Sequence, residues 1–318
     1  MWASLCEMFP PWTICSLKWL DDHPQFLSNP LYIGGDSYGG KVVPVITHEI
    51  VKDIEAGKQP LLNLKGYVIG NPITEARFDD NSFVPYSFGM GLISKELYMA
   101  AKKSCRGGEY AKPKNAECAR DVGAINECIS GLNQAHILEP KCEIFLPHPR
   151  QMRHLVDQSL ELMPPLLIPD IKCRSYGFML SNYWANNDTV REALRIQMNT
   201  VEEWVRCDYD VPYVQDISSS IPYHHILTTR GYRALVYSGD HDLSLSHVGT
   251  QAWIKTLNFS IVDDWRPWSV DGQVAGYTRS FANNLTFALV KGAGHIAPEH
   301  RPKESYNMFE RWIFHKPL

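Results

Sequence analysis

Three side chains whose types suit nucleophilic catalysis each follow an apolar segment of the chain. Ser37 follows the apolar start of LYIGGDSYGGKVVP, Asp242 follows RALVYSG, and His295 lies in TFALVKGAGHIAP. A serine hydroxyl is a weak nucleophile until a base takes its proton, and a histidine can do so near neutral pH. An aspartate holds the imidazole in the required tautomer and stabilises its charged form. The three residues therefore predict attack on a carbonyl carbon through an acyl-serine intermediate.

The glycines around Ser37 indicate a sharp turn from a strand into a helix. Gly35 and Gly39 flank the serine, and we interpret both as positions where a β-carbon would find little space. In such a turn the amide of Tyr38 is predicted to donate a hydrogen bond to a developing oxyanion. A Gly-x-Ser-x-Gly sequence also occurs in ordinary turns, so this motif alone does not establish catalysis.

The acid and the base also have structural alternatives. Asp240 competes with Asp242 for the acidic role, and either aspartate could cap a helix. The chain has 12 histidines, and any single one is more often structural than catalytic. The chain order of Ser37, Asp242 and His295 is the order found in α/β-hydrolases, which favours the catalytic interpretation.

Strand and helix patterns alternate around these residues. PLYIGG and LKGYVIGNP predict strands, and the segment between them spaces its apolar residues at three and four, as an amphipathic helix does. The same alternation resumes in the last third of the chain. This order predicts an α/β fold with a parallel sheet covered by helices. The three candidates then lie at the carboxyl ends of strands, where sites form in open α/β sheets.

Residues 86–182 differ in character, and we interpret them as a cap inserted into a single domain spanning 1–318. A helix-like segment is followed by clustered cysteines and a proline-rich stretch, with a segment near 144–170 interpreted as mobile. Five of the eight cysteines fall within 105–173, which suggests disulfides and an oxidising compartment. Scattered buried thiols are the alternative. No Cys-x-x-Cys pair occurs, which argues against a metal site.

Composition argues against two classes of partner. The formal net charge is -4 and no basic block occurs, which argues against nucleic acid. No apolar run reaches the roughly 18–20 residues of a membrane-spanning helix. The first twenty residues lack the basic start and the uninterrupted apolar stretch of a signal peptide. Three Asn-x-Ser/Thr sequences are candidate glycosylation sites, at Asn187, Asn258 and Asn284.

Four motifs in order closely resemble the serine carboxypeptidase-like family, especially its plant members: LYIGGDSYGG, GYVIGNP, GYRALVYSGDHD and GAGHIAPEHRP. The resemblance runs from about Lys18 to the end of the chain. It implies an α/β-hydrolase fold with a helical, disulfide-stapled cap, the triad Ser37, Asp242 and His295, and no cofactor. It also implies N-glycosylation, a secreted or vacuolar location, and a small-molecule ester or a peptide as substrate.

Two activities compete within this family. Its carboxypeptidases usually have Glu before the nucleophile, where it helps bind the free carboxylate of the substrate. Here that position is Asp36, which is one methylene shorter. Members with GDSY and GDHD resemble the plant acyltransferases, which move an acyl group from a glucose ester to an alcohol. The resemblance therefore favours acyl transfer, with Asp36 in substrate binding, and keeps a serine-type carboxypeptidase as the alternative.

The resemblance also implies two disulfides in the cap, Cys105–Cys118 and Cys142–Cys173. It leaves Cys207 without the partner that this cysteine normally has in the family. It assigns no role to Cys128.

Two departures from the family pattern bear on activity. Ser246 stands near the position of a proline that usually follows the catalytic aspartate, and this change can alter the acceptor pocket. Family members also carry a signal peptide, several strands and a GGPG-type loop before the point where the resemblance begins. We therefore expect the N-terminal strands of the sheet and one oxyanion donor to be missing, PLYIGG to lie at a sheet edge, and turnover to be low. An inactive truncated homologue or a binding protein is the third alternative.

Overall fold

The computed structural model describes residues 19–20, 22–106, 108–142, 173–197, 203–207 and 212–318. These residues form two compact units. The larger unit contains the residues up to Ile137 and those from Tyr213 onward, and the smaller unit contains those between. The predicted cap at 86–182 includes parts of both units, and its extent stays a prediction. The segment near 144–170 lies outside the described residues.

The described part of the larger unit contains a six-stranded sheet. The strands in chain order are β1 (Leu31–Asp36), β2 (Leu64–Gly70), β3 (Arg233–Gly239), β4 (Ile261–Val270), β5 (Gln273–Phe281) and β6 (Leu285–Val290). Their order across the sheet is β1-β2-β3-β6-β5-β4. The first four strands in that order are parallel, and β5 and β4 are antiparallel additions. The parallel pairing of β1, β2, β3 and β6 is as predicted, and β1 lies at one end of the sheet that the described residues form.

Helices precede and follow the strands in both units. Those of the larger unit are α1 (Gly39–Glu55), α2 (Ala76–Asp79), α3 (Phe83–Gly89), α4 (Lys95–Ser104), α5 (Ala116–Ile129), α8 (Ile221–Thr229), α9 (His247–Thr256), α10 (Ala297–His300) and α11 (Pro302–Ile313). The smaller unit contains α6 (Arg174–Ala185) and α7 (Asp188–Ala193). No helix in the described ranges combines the length and the apolarity that crossing a bilayer requires.

Both faces of the sheet are covered, because successive side chains of a strand point to opposite faces. Tyr67 and Ile69 of β2 pack in one core cluster with residues of α1, α8 and α9, while Val68 packs in a second cluster with residues of α11. Strands that are buried on both faces are apolar throughout rather than alternating. This is why LKGYVIG could be recognised as a strand although it shows no alternation.

The antiparallel hairpin of β4 and β5 has no counterpart in the sequence-based prediction. Most of β4 is exposed or half-buried, so its apolar residues do not alternate clearly with polar ones. The available signal is the dipeptide Asp271–Gly272, which joins the two strands with φ angles of 49° and 72°. Positive φ at both positions is the requirement of a type I′ turn, for which Asp-Gly is a preferred sequence.

Each unit contains one disulfide among its described cysteines. Cys105–Cys118 joins the end of α4 to α5 in the larger unit, and Cys142–Cys173 lies in the smaller unit. These are the two pairs that the family resemblance implies. Cys128 and Cys207, by contrast, are exposed and form no disulfide. The structure therefore supports the prediction of a disulfide-bonded protein.

Candidate active site

Ser37 lies at the turn between β1 and α1. Its φ of 57° is in the left-handed region, which residues other than glycine rarely adopt and which is often found at functional sites. The amide of Ser37 donates to the Gly70 carbonyl at 2.9 Å, and its carbonyl accepts from the amides of Gly40 and Ile73, both at 2.9 Å. These bonds fix the turn against the end of β2.

Gly40, rather than Gly39, is the glycine that this turn requires most strictly. A β-carbon at Gly40 would lie 2.4 Å from Pro72 Cβ and 2.6 Å from the Ile73 carbonyl oxygen. At Gly35 the nearest atom would be 3.1 Å away, and at Gly39 it would be 3.9 Å away, which is ordinary contact. The interpretation of Gly39 as a crowded position is therefore wrong, because the close approach to the turn after β2 occurs one residue later.

Ser220 compensates for a proline inside the helix that follows the serine. Pro44 has no amide proton, so it cannot donate to the Gly40 carbonyl as a helical residue normally would. Ser220 Oγ donates to this carbonyl instead, at 2.8 Å, and the Ser220 amide donates to the Thr74 carbonyl. The segment before α8 thus completes the first turn of α1, which positions Ser37.

Asp242 follows β3 and is fully buried. Its Oδ1 accepts hydrogen bonds from the amides of Ser244 (2.9 Å) and Leu245 (3.1 Å). Its Oδ2 accepts from His295 Nδ1 at 2.8 Å and from Asn71 Nδ2 at 2.8 Å. The carboxylate is therefore held on both oxygens, with one of its bonds made to the candidate base.

The competing aspartate has different partners. Asp240 Oδ1 accepts from the Gly292 amide at 2.6 Å and lies 3.9 Å from His241 Nδ1. Its carbonyl accepts from the Tyr86 hydroxyl. Asp240 thus stabilises the turn after β6. Asp242 is the aspartate that contacts His295.

His295 is held at the turn after β6 by its main chain and by its ring. Its amide donates to the Ala135 carbonyl at 2.7 Å, and its Nδ1 donates to Asp242. This Nδ1–H tautomer leaves Nε2 as the basic nitrogen. Burial lowers the pKa of His295, but the hydrogen bond and charge of Asp242, together with the charge of Asp36, raise it to a net value above the ordinary 6.5.

Asp36 lies at the end of β1, directly before the candidate nucleophile. Its Oδ1 accepts a hydrogen bond from the Tyr237 hydroxyl at 2.5 Å. Burial raises the pKa of Asp36 above its ordinary range, and the Tyr237 hydrogen bond and the charge of His295 oppose this rise only in part. Asp36 therefore has an electrostatic link to His295 and a direct bond to β3.

Tyr38 is the N-cap residue of α1. Within the described residues, its amide donates to no acceptor. The free amides at the start of a helix carry partial positive charge, which stabilises an anion placed there. The Tyr38 amide is thus available for the predicted oxyanion contact.

The structure brings Asp242 and His295 into direct contact and places Ser37 beside Asp36, whose charge acts on His295. In the described part of the chain, Ser37 Oγ donates to no partner. Hydrogen bonds between a nucleophile and its base often form fully only when substrate is bound. Asn71 is the functional candidate that the sequence did not indicate, because an asparagine before a proline is ordinarily a turn signal.

The three candidate glycosylation sites all lie on exposed turns or helix ends. Asn187 caps α7, Asn258 follows α9, and Asn284 precedes β6, and each of them is exposed. Exposure is what a glycan at these positions requires, and modification itself stays a prediction.

Comparison with known proteins shows the family of this chain. The profile described as serine carboxypeptidase matches residues 14–315. The chain belongs to the serine carboxypeptidase family. Serine carboxypeptidase-like 3 and serine carboxypeptidase-like 1 of Arabidopsis thaliana are 46% and 47% identical to it, each over 303 residues. Each alignment covers 95% of this chain and 63% of the relative, so the chain spans less than two thirds of their length.

A solved structure supports the fold of this family member. The crystal structure of Kex1(Δ)p, a prohormone-processing carboxypeptidase from Saccharomyces cerevisiae, superposes with a TM-score of 0.69 at 18% identity. The match covers 98% of this chain and 68% of that one. The family resemblance and the α/β-hydrolase fold predicted from the motifs are both confirmed.

Proposed function

We propose that this serine carboxypeptidase-like protein transfers an acyl group through an intermediate on Ser37, from a glucose ester to an alcohol. The observation that carries the proposal is the 2.8 Å bond between His295 Nδ1 and the buried Asp242. A histidine held in this tautomer can accept a proton at Nε2, which is what activation of a serine requires. The strained turn presents Ser37 at the same edge of the sheet.

The proposed reaction has two symmetrical halves. Ser37 Oγ attacks the ester carbonyl while His295 Nε2 takes the hydroxyl proton, and the same proton passes to the departing glucose oxygen as the acyl–oxygen bond breaks. An alcohol then attacks the acyl-serine, gives its proton to His295, and releases Ser37 with the proton restored. Asp242 stabilises the imidazolium that forms in each half. Water in place of the alcohol would give hydrolysis.

The Tyr38 amide is the proposed donor to the negative oxygen that forms in both halves. This amide points from the N-terminal end of α1, a helix of 17 residues. Preorganised donors of this kind act on charge that develops only in the transition state.

Asp36 supports transfer over peptide hydrolysis. The Tyr237 hydroxyl holds its carboxyl back against β3, and the side chain is one methylene shorter than the glutamate of the family's carboxypeptidases. Such a group is less able to reach the terminal carboxylate of a peptide. The second candidate is nevertheless a carboxypeptidase, which the family's name and the yeast enzyme favour.

Offered both substrate classes, the purified protein should make an ester rather than release an amino acid. The two substrates are a phenolic glucose ester with an alcohol acceptor and an N-blocked dipeptide, compared by liquid chromatography with Ser37→Ala as the blank. Efficient release of the C-terminal amino acid without any ester product would establish the carboxypeptidase instead. Absence of both products, with a folded protein, would favour the binding-protein alternative.

Removal of the Asp36 charge is expected to shift the acidic limb of kcat/KM to lower pH. Asn at position 36 keeps an oxygen for the Tyr237 hydroxyl but removes an anion that stabilises the His295 imidazolium. The pKa of His295 then falls, and the basic form of the histidine persists to lower pH. The measurement is the pH profile of Asp36→Asn against wild type. Asp36→Glu, which keeps a carboxylate at this position, is the control. An acidic limb that lies at the same pH in Asp36→Asn as in wild type would contradict the electrostatic link between Asp36 and His295.

We also propose that the protein enters the secretory route. The two disulfides and the exposed sequons support this location, because disulfides persist in oxidising compartments. Mass analysis of the plant-expressed protein before and after glycosidase treatment would test it, and an unmodified, reduced protein would contradict it.

A further inference from the structure

Asn71 occupies an unusual position at the end of β2. Its side chain is fully buried, and its φ of 38° is in the left-handed region. Both ends of the amide are used: Nδ2 donates to Asp242 Oδ2 at 2.8 Å, and Oδ1 accepts from the Gly239 amide at 3.2 Å. The main-chain amide of Asn71 donates to the Tyr237 carbonyl at 2.8 Å. One residue thus links the end of β2 to the end of β3 and to the acid.

The bond from Asn71 falls on the same oxygen that His295 uses. Asp242 Oδ2 accepts from Asn71 and from His295, each at 2.8 Å, while main-chain amides occupy Oδ1. Within the described residues, Asn71 is the only side chain besides His295 that donates to this carboxylate. Three fixed donors prevent the carboxylate from rotating, so a lone pair of Oδ2 stays directed at His295 Nδ1.

We propose that Asn71 is a positioning residue of the triad, which rests on the function proposed above. Its neutral amide orients Asp242 and stabilises the ionised carboxylate without adding a charge that would change the basicity of His295. Asparagine suits the position for a second reason, since it tolerates the left-handed backbone better than most residues.

The alternative is that Asn71 has only a structural role, in the turn before Pro72. Glycine would make this turn at least as well, because it has no β-carbon to strain at positive φ. Asn71→Gly therefore separates the two roles. It keeps the backbone conformation and removes the donor to Asp242, together with the acceptor of the Gly239 amide.

Asn71→Gly should lower kcat by about 10- to 100-fold, as expected for a misplaced catalytic group, with KM within twofold of wild type. Asn63→Ala is the matched control. It removes an asparagine from the opposite end of β2 that donates only to the Ser28 carbonyl.

The rate at which a fluorophosphonate labels Ser37 measures the reactivity of the serine hydroxyl. It requires no assumption about which substrate the protein uses. Wild type should label at Ser37, Asn63→Ala should match it, and Asn71→Gly should label about 10- to 100-fold more slowly while keeping its near-UV circular dichroism, which shows that the variant is folded. Labelling of Asn71→Gly at the wild-type rate, with kcat unchanged, would overturn the positioning role. Failure of wild type to label at Ser37 would instead overturn the proposed function and this inference with it.

Discussion

Asp242→Asn should lower kcat by about 10⁴-fold while leaving the protein folded. Asparagine has nearly the same shape, but its amide nitrogen can donate to His295 Nδ1 and so stabilise the wrong tautomer, with the proton on Nε2. The imidazolium would also lose its counter-charge. Asp242 is fully buried, so no solvent replaces these interactions. The measurement is kcat on the glucose ester with an alcohol acceptor, after circular dichroism has verified folding.

Asp240→Asn is the matched control for this prediction. Asp240 lies two residues earlier in the same turn and accepts from the Gly292 amide, a bond that an asparagine oxygen can also accept. Its replacement should change kcat by less than about tenfold. Equal losses in the two variants would mean that the turn as a whole, rather than the Asp242 carboxylate, supports activity.

The free energy of unfolding should fall steeply as the pH drops below 6.5, because of His224. This residue is fully buried on α8, where Nδ1 bonds to the Tyr67 hydroxyl at 2.7 Å and the ring stacks on Trp253 with centroids 4.7 Å apart. Burial lowers the pKa of His224 to about 3. In the unfolded chain it titrates at about 6.5, so the unfolded state binds more protons between these values. The contribution of His224 to the free energy of unfolding is complete above pH 6.5 and decreases by about 1.4 kcal/mol per pH unit down to about pH 3.

Chemical denaturation at a series of pH values would measure this slope. Burial raises the pKa of Asp79 to about 6, which acts in the opposite direction between about pH 6 and 4, so the difference between variants is the decisive quantity. His224→Gln should flatten the curve relative to wild type. His225→Gln, a change at the exposed neighbour on the same helix, should leave the slope as it is. Parallel curves for wild type and His224→Gln would contradict the prediction.

The sequence indicated that each of the three candidate residues follows a strand, because short-range patterns determine where strands end. Apolar runs that end in glycine or have one within two residues mark the carboxyl ends of β1, β3 and β6, and parallel strands bring those ends to one edge of the sheet. Local patterns also predicted the helix after Ser37. They could not show that Gly40, rather than Gly39, meets the turn after β2, since that contact joins segments about thirty residues apart.

Interactions between distant segments account for most of what the sequence left open. The bond from Asn71 to Asp242 spans 171 residues, and that from Ser220 to the Gly40 carbonyl spans 180. Each side chain has an ordinary local interpretation, as a turn residue or as a helix neighbour. Asp240 and Asp242 are equally placed in the sequence, and only the fold shows which one contacts His295. The β4–β5 hairpin was missed because exposed antiparallel strands lack the continuous apolar run of buried ones.

Identification of the acylated residue is the decisive test of whether Ser37 carries the acyl group. The protein is mixed with a phenolic glucose ester, quenched in acid at early times, digested and mapped by mass spectrometry, with Ser37→Ala treated identically. We expect an acyl group on the peptide that carries Ser37, formed before product and lost when an alcohol acceptor is added. Product formation with the acyl group on another residue, or in the Ser37→Ala variant, would contradict it.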